Sequence, residues 1–208
     1  MLYLFDQAIV DDLKGSLTEA ANQNVFLTDA DNYPGILAQI QDDTITYPLI
    51  LLHREEDTPV KTELMNFSRA KFGVPCTFDN KTNNIYYERA VPVEVNYSLR
   101  ILSHNVADTD ELARELFLNK YMTMYFLTIR LPYESDRKIR FGVQVDTDYG
   151  IKKESGSFNY ISSGALYQST IRLNTEGCVM LTYTSRHLKR DVLDTKNIGI
   201  ENPKGGSK

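Results

Sequence analysis

VPVEVNYSLRILSHNVADTDELARELFLNKY, residues 91–121, carries the two sharpest periodicities in the chain. Val91, Val93, Val95, Tyr97, Leu99 and Ile101 alternate with Pro92, Glu94, Asn96, Ser98 and Arg100. Successive side chains leave a strand on opposite sides, so this spacing predicts one long strand over 91–102 with a dry face and a wet face. A helical period then takes over. Leu112, Ala113, Leu116 and Phe117 make an apolar stripe over 108–121. Asp108 is the candidate N-cap, and Glu111 three residues on completes a capping-box spacing.

Toward the C-terminus, Leu127, Ile129, Leu131 and Tyr133 alternate with polar residues, and so do Ile139, Phe141, Val143 and Val145. These predict a hairpin over 125–147, with the polar segment 134–138 as its connection. Pro132 places the first strand at an edge or ends it there. Residues 148–164 contain Gly150, Gly156 and Gly164 and read as a loop or arm. Two last strands follow, 167–173 and 179–183, with Glu176 and Gly177 in the turn between them. After Thr184 the apolar signal fades, and 191–208 reads as a flexible tail.

Toward the N-terminus, YPLILLHR at 47–54 is a buried strand, and DADNYPG at 29–35 is turn chemistry. Residues 36–40 read as a short helix. Phe5, Ile9, Leu13 and Leu17 recur at helical spacing and predict a helix over 4–22, its acids placed early to favour the positive end of the dipole. Residues 55–90 are irregular, with DNKTNN at 79–84 turning between strands at 74–78 and 85–89. The expected architecture is therefore α+β: a mostly antiparallel sheet packed against two helices, with extended loops. It forms one domain over 1–190, with 55–90 an insertion or hairpin.

The 208 residues carry a net charge of −5 and no basic stripe, which argues against a dedicated nucleic-acid binder. The basic cluster Arg186, Lys189 and Arg190 reads as a solvated helix end or tail. The first fifteen residues lack a basic n-region and do not read as a signal peptide. No apolar run approaches the roughly eighteen residues of a membrane span. The expectation is a chain that works in a cytosol, or in a particle assembled there, without a membrane.

A search for chemistry names no residue. His53, His104 and His187 match no compact zinc spacing, and no HExxH, Walker loop, GxGxxG or GxSxG is present. Cys76 and Cys178 have no CxxC spacing and read as buried structural thiols. The segment DADN at 29–32 lacks the later glycine and glutamate of a calcium loop. Asp146 and Asp148 share a spacing suited to one strand face, yet a catalytic pair needs a pocket. No catalytic residue, metal ligand or cofactor is expected.

The strand of the form VPVxxxYxLxI and the helix of the form D-E-L-x-R-x-L-F resemble a pattern in tail-terminator (tail-completion) proteins of long-tailed bacteriophages. Val91, Pro92, Val93, Tyr97, Leu99, Ile101, Asp110, Glu111, Leu112, Arg114 and Phe117 carry it. FLTIRLPY, GALYQSTIRLNTEGCVMLTY and the early helix with Tyr47, Pro48 and Ile50 continue in the same style. The resemblance covers about two-thirds of the chain and implies a non-enzymatic ring, commonly hexameric, that caps the tail tube. Its implied partners are other copies of itself, the tail tube protein, the head-completion or connector protein and, in contractile tails, the sheath. DNA would pass through without sequence-specific binding. Glu94, Asn96, Ser98 and Arg100 on the wet strand face, with Arg130 and Arg140 on the hairpin, are the candidate interface residues. Competing expectations are another virion ring component, such as a head–neck adaptor or baseplate subunit, and a small enzyme or ligand-binding domain with His104 or Asp146 lining a deep pocket.

Overall fold

The computed structural model describes residues 1–17, 24–28, 35–36, 38–39, 45–55, 59–60, 74–79, 81, 84–88, 90–131, 134–155 and 166–181. The expected tail at 191–208, and most of the segments around 29–34, 61–73 and 156–164, lie outside the described residues.

The fold is α+β. Helix α1, Leu2–Ser16, buries Phe5, Ile9, Val10 and Leu13. Eleven strands follow among the described residues: β1 Val25–Thr28, β2 Leu49–Arg54, β3 Val74–Asp79, β4 Ile85–Glu88, β5 Ala90–Pro92, β6 Tyr97–Ser103, β7 Tyr125–Leu131, β8 Glu134–Val145, β9 Ile151–Ser155, β10 Tyr167–Glu176 and β11 Val179–Leu181. Helix α2, Val106–Arg114, lies between β6 and β7 and runs on as a wider π-helical turn, Glu115–Lys120. The main sheet runs β1-β2-β6-β10-β8-β3-β4, with β7 on the other edge of β8 and β9 on β10 beyond the end of β8. Among the described strands, only the β1–β2 pair is parallel.

The sheet is curled, and α1 shows why. The helix packs against both β1 and β7, the two ends of the path β1-β2-β6-β10-β8-β7. Five inter-strand steps of about 4.8 Å would hold those strands roughly 24 Å apart in a flat sheet. A helix is only about 10–12 Å across. The sheet therefore wraps its concave face around α1, with Phe5 edge-on to Phe141 at 4.9 Å. Tyr97, Leu99, Ile101, Ile139, Val143, Val145, Ile171 and Leu173 join the same core.

Several expectations are corrected. The first helix stops at Ser16 instead of continuing to 22, because Leu17 is already extended (φ −86°, ψ 159°). Its acids do not serve the dipole, since none lies in the first turn. Asp6 is instead buried, accepting hydrogen bonds from Tyr97 Oη at 2.8 Å and Arg54 at 2.7 Å. Burial pushes the Asp6 carboxyl above its ordinary value, and the Tyr97 and Arg54 contacts only partly offset this.

The strand expected over 91–102 is two strands, β5 and β6, joined by an irregular link at 94–96. Inside–outside alternation continues through the link, with Val93, Val95 and Tyr97 all buried. The ladder does not. Val93 N donates to Cys178 O, and Glu94 N to Pro59 O. The Thr175 hydroxyl accepts from Val95 N and donates to Val95 O, and Asn96 O accepts from Glu55 N. Buried backbone groups must be paired, and here loops and one side chain pair them in place of a neighbouring strand. β11 accordingly pairs with β5 in a separate two-stranded ladder and not with β10. Gly177, at φ +76°, turns the chain between β10 and β11.

The N-cap of helix α2 lies three residues before the expected one. Asn105 is the N-cap, its side chain accepting from Ala107 N at 3.0 Å, and Asp108 stands at the third helical position. Asn105 Nδ2 and Ser103 Oγ both donate to Asp108, and Glu111 is exposed. In the wide turn, Tyr121 N bonds to Leu116 O, five residues back. This swings Lys120 and Tyr121 onto α1, where Asp12 takes an ion pair from Lys120 at 2.8 Å and a hydrogen bond from Tyr121 Oη at 2.7 Å.

The segment 134–138 is not a connection; it is the first part of β8. β7 is an edge strand ending at Leu131, as Pro132 implies. The 74–79 and 85–88 strands do form a hairpin, which joins the main sheet through β3 and β8. Part of the expected 148–164 arm is the strand β9.

Candidate partner-binding surface

Residues paired across strands share a face. Leu127, Ile129, Phe141 and Ile139 point into the concave core, so their neighbours along the strands point to the convex side. Over β2 and β6 that convex side is covered: Leu49, Leu51 and Leu102 pack with Ile36, Ile45 and Leu166. No described element covers it over β7, β8, β3 and β4.

Three rows of side chains cross this open end. Phe126 stands beside Gly142 and Glu176, and Thr128 beside Arg140. Arg130, Lys138, Phe78 and Ile85 form a row across four strands. Phe126 is 53% exposed and Ile85 65% exposed. The Arg140 guanidinium carbon lies 4.2 Å from the centre of the Phe126 ring, a cation–π contact. Among the described residues no acid forms an ion pair with Arg130, Lys138 or Arg140, whereas Arg172 on the same face is held bidentate by Glu55 at 2.7 and 2.6 Å. That pairing raises the Arg172 pKa, chiefly through the hydrogen bonds to Glu55. Met124 Sδ fills the space a Cβ would take at Gly142, so the methionine side chain covers the strand there and only glycine fits beneath it.

The six candidate interface residues do not form one site. Arg130 and Arg140 are exposed on the open end. Ser98 and Arg100 lie on the convex face of β6, with β10 between them and β8. Glu94 and Asn96 are not on a strand face at all. They belong to the link, where Asn96 Oδ1 is buried without a hydrogen-bond partner. Sequence reasoning missed Phe126, Lys138, Phe78 and Ile85. The signal for Phe126 was present: in YFLTIRL it takes an outward position of the period, where an apolar residue lacks a core to enter.

A second feature lies on the other side of the sheet. A recess of about 800 Å³ runs between the outward stripe of α2 and β9, lined by Glu111, Arg114, Phe117, Leu118 and Ile151 among others. The Asp110–Lys153 ion pair, at 2.6 Å, ties the two walls together. Leu118 is 51% exposed. Neither His104 nor Asp146 lines it. His104 stands against the Tyr47 ring at 4.3 Å, and Asp146 accepts from the backbone N–H groups of Asp148 and Tyr149 in a turn. The Asp146–Asp148 spacing is thus turn chemistry. His53 contacts Thr28 O, and Cys178 is buried beside the Thr175 hydroxyl. His187 lies outside the described residues, within which no group of His, Cys, Asp and Glu is arranged to hold a metal ion. No helix among them is long and apolar enough to cross a membrane.

Searches with protein-family models and against curated protein sequences find no match to this chain.

Proposed function

We propose that this chain is a structural virion protein of a long-tailed bacteriophage, one that caps the tail tube as a ring, ends tube growth and joins the tail to the head-side connector. The observation that carries this reading is the open convex end of the sheet. Exposed apolar side chains edged by polar ones mark protein-interaction surfaces, and this end carries Phe126 at one corner and the neighbouring Phe78 and Ile85 at the other, with Arg130, Lys138 and Arg140, none of which is ion-paired among the described residues. The resemblance in residues 91–121 supports it, because the residues that carry the pattern include the centre of the core, Tyr97, Leu99, Ile101 and Leu112.

In this reading the chain has no catalytic residue and no cofactor. Its partners are further copies, the tube protein, the connector protein and, in a contractile tail, the sheath, with DNA passing through unread. It resides in the tail or neck and assembles in the host cytoplasm.

The test is the solution mass by light scattering across a concentration series, followed by mixing with tail tubes. A ring-sized species, or a protein that caps tubes and limits their length, is the expected result. Binding only at the opposite end of the tube, away from the head, would identify a baseplate component instead. A monomer that leaves tube length unchanged would overturn the reading.

A further inference from the structure

Strand β7 has an open edge. It pairs with β8 on one side, and among the described residues nothing hydrogen-bonds to its other side. Such an edge presents a row of unpaired N–H and C=O groups, which folded proteins cover or blunt because it templates pairing with foreign strands. A strand added there meets two unlike borders. On the concave side it continues the buried row of Leu127, Ile129 and Leu131. On the convex side it runs beside Phe126, Thr128 and Arg130, with Arg140 and Lys138 one strand further in. The occupant this edge fits alternates apolar residues with small or acidic ones.

Past Leu181 the chain continues to Lys208, and one stretch there has that pattern. In DVLDTKNIGIE, residues 191–201, Ile198 and Ile200 alternate with Asn197, Gly199 and Glu201. Asp191, Asp194 and Glu201 outnumber its one cation, Lys196. A period of two puts both isoleucines on one side of a strand and Glu201 on the other. The root of this stretch is close to β7. Gly177 lies beside the backbone of Arg140 and Phe141, the β8 residues that pair with Thr128 and Leu127. From Gly177 to Leu181 is about 13 Å of extended chain, and β8 to β7 is about 5 Å. Residues 182–196 can span about 50 Å, well beyond that separation.

We propose that residues 197–201 add to the open edge of β7 in their own chain as a further strand, with Ile198 and Ile200 beside Leu127 and Ile129 and Glu201 beside the patch cations. Main-chain hydrogen bonds supply the affinity, and the alternate side chains supply the specificity. The tether holds the segment at an effective concentration in the millimolar range, so it outcompetes the same segment of a second copy at micromolar protein. The occupied edge no longer templates pairing, and a partner strand reaches β7 only by displacing the chain's own. The contact lies within one chain and is independent of the ring.

The test compares the full chain with full-chain variants, one carrying Ile198→Asp with Ile200→Asp and one carrying Gly199→Pro, each checked by thermal unfolding. In the wild type, amides on both sides of β7 are expected to be slow in hydrogen exchange. In the variants about half of them, those facing the outer edge, should exchange about ten-fold faster or more. A fluorescent synthetic peptide of residues 191–201 should bind the variants saturably, and the wild type, whose edge is occupied, about ten-fold more weakly or not at all. N-methylation of one set of alternate peptide residues should abolish binding and of the other set should spare it, as a strand ladder requires. Arg130→Glu added to the double-aspartate variant should weaken peptide binding. Equal β7 exchange in wild type and variants, equal peptide binding to them, or equal tolerance of both N-methylated sets would overturn the proposal. Wild-type protection that disappears on dilution would place a second copy's segment on the edge and overturn the contact within one chain.

Discussion

Asp6 and Asp12 anchor α1 to the rest of the fold by the same device, a carboxylate that accepts from a tyrosine hydroxyl and pairs with a cation. Both phenols are buried, and burial first, then the adjacent carboxylate, pushes the Tyr97 and Tyr121 hydroxyls well above their ordinary value. Hydrogen bonds to charged groups contribute about 1.5–3 kcal/mol each, so Tyr97→Phe and Tyr121→Phe should each lower unfolding free energy by about 2 kcal/mol in urea titrations. Asp6 adds a pH dependence whose sign follows from its raised pKa. Stability from such a group is complete below the unfolded value, about 4, and is lost as pH rises through the folded one. Wild type measured against Asp6→Asn should therefore be relatively most stable at about pH 3 and decline toward neutrality. A wild type that gains on the variant as pH rises would contradict the burial of this carboxyl. From sequence these aspartates look like solvated acids at a helix start; their partners lie between 48 and 109 residues away, beyond any local pattern.

At the scale of elements, period carried most of the information and boundaries carried least. The alternation at 91–101 does predict which side chains are buried, because packing follows Cβ direction whether or not a ladder is present. It does not predict the break at 94–96, because Thr175, Cys178 and Pro59 supply the backbone partners there. The α2 stripe is legible too, while its cap is not. Both Asn105 and Asp108 are capping residue types, and only the geometry separates the N-cap from the third helical position. Asn105→Ala should lower stability by about 1 kcal/mol, read as a drop in Tm, because the Ala107 N–H loses its acceptor. Gly177 holds a left-handed conformation with Arg140 O 3.5 Å from where a Cβ would stand. Gly177→Ala should cost at least about 1 kcal/mol in urea unfolding through backbone strain at the β10–β11 turn. A variant as stable as the wild type would show that β11 pairs with β5 without needing this turn.

For the whole molecule, the open convex end is the feature with the largest consequence. Its cations come from β7 and β8, two of them from the run RKIR at 137–140, and its apolar residues come from β3, β4 and β7. If copies meet through the cations of this patch and a surface of opposite charge, added salt should weaken assembly, since exposed charges are screened over about 8–10 Å at physiological ionic strength and over far less at molar salt. The protein concentration for half-assembly in light scattering should rise steadily with sodium chloride. Assembly that strengthens with salt would instead place the apolar side chains alone at the contact.

By itself the sequence determined the fold class, the two helices, most of the strands and the identity of the core, because burial and period are local properties written into each segment. It also named Arg130 and Arg140, two of the six residues singled out on the open end. Only the tertiary structure decided that the sheet curls around α1, that Glu94 and Asn96 leave the strand, and that Phe126 and Lys138 join those arginines on one uncovered face. These depend on which strands become neighbours and in what register, and register is fixed by contacts between residues far apart in the chain.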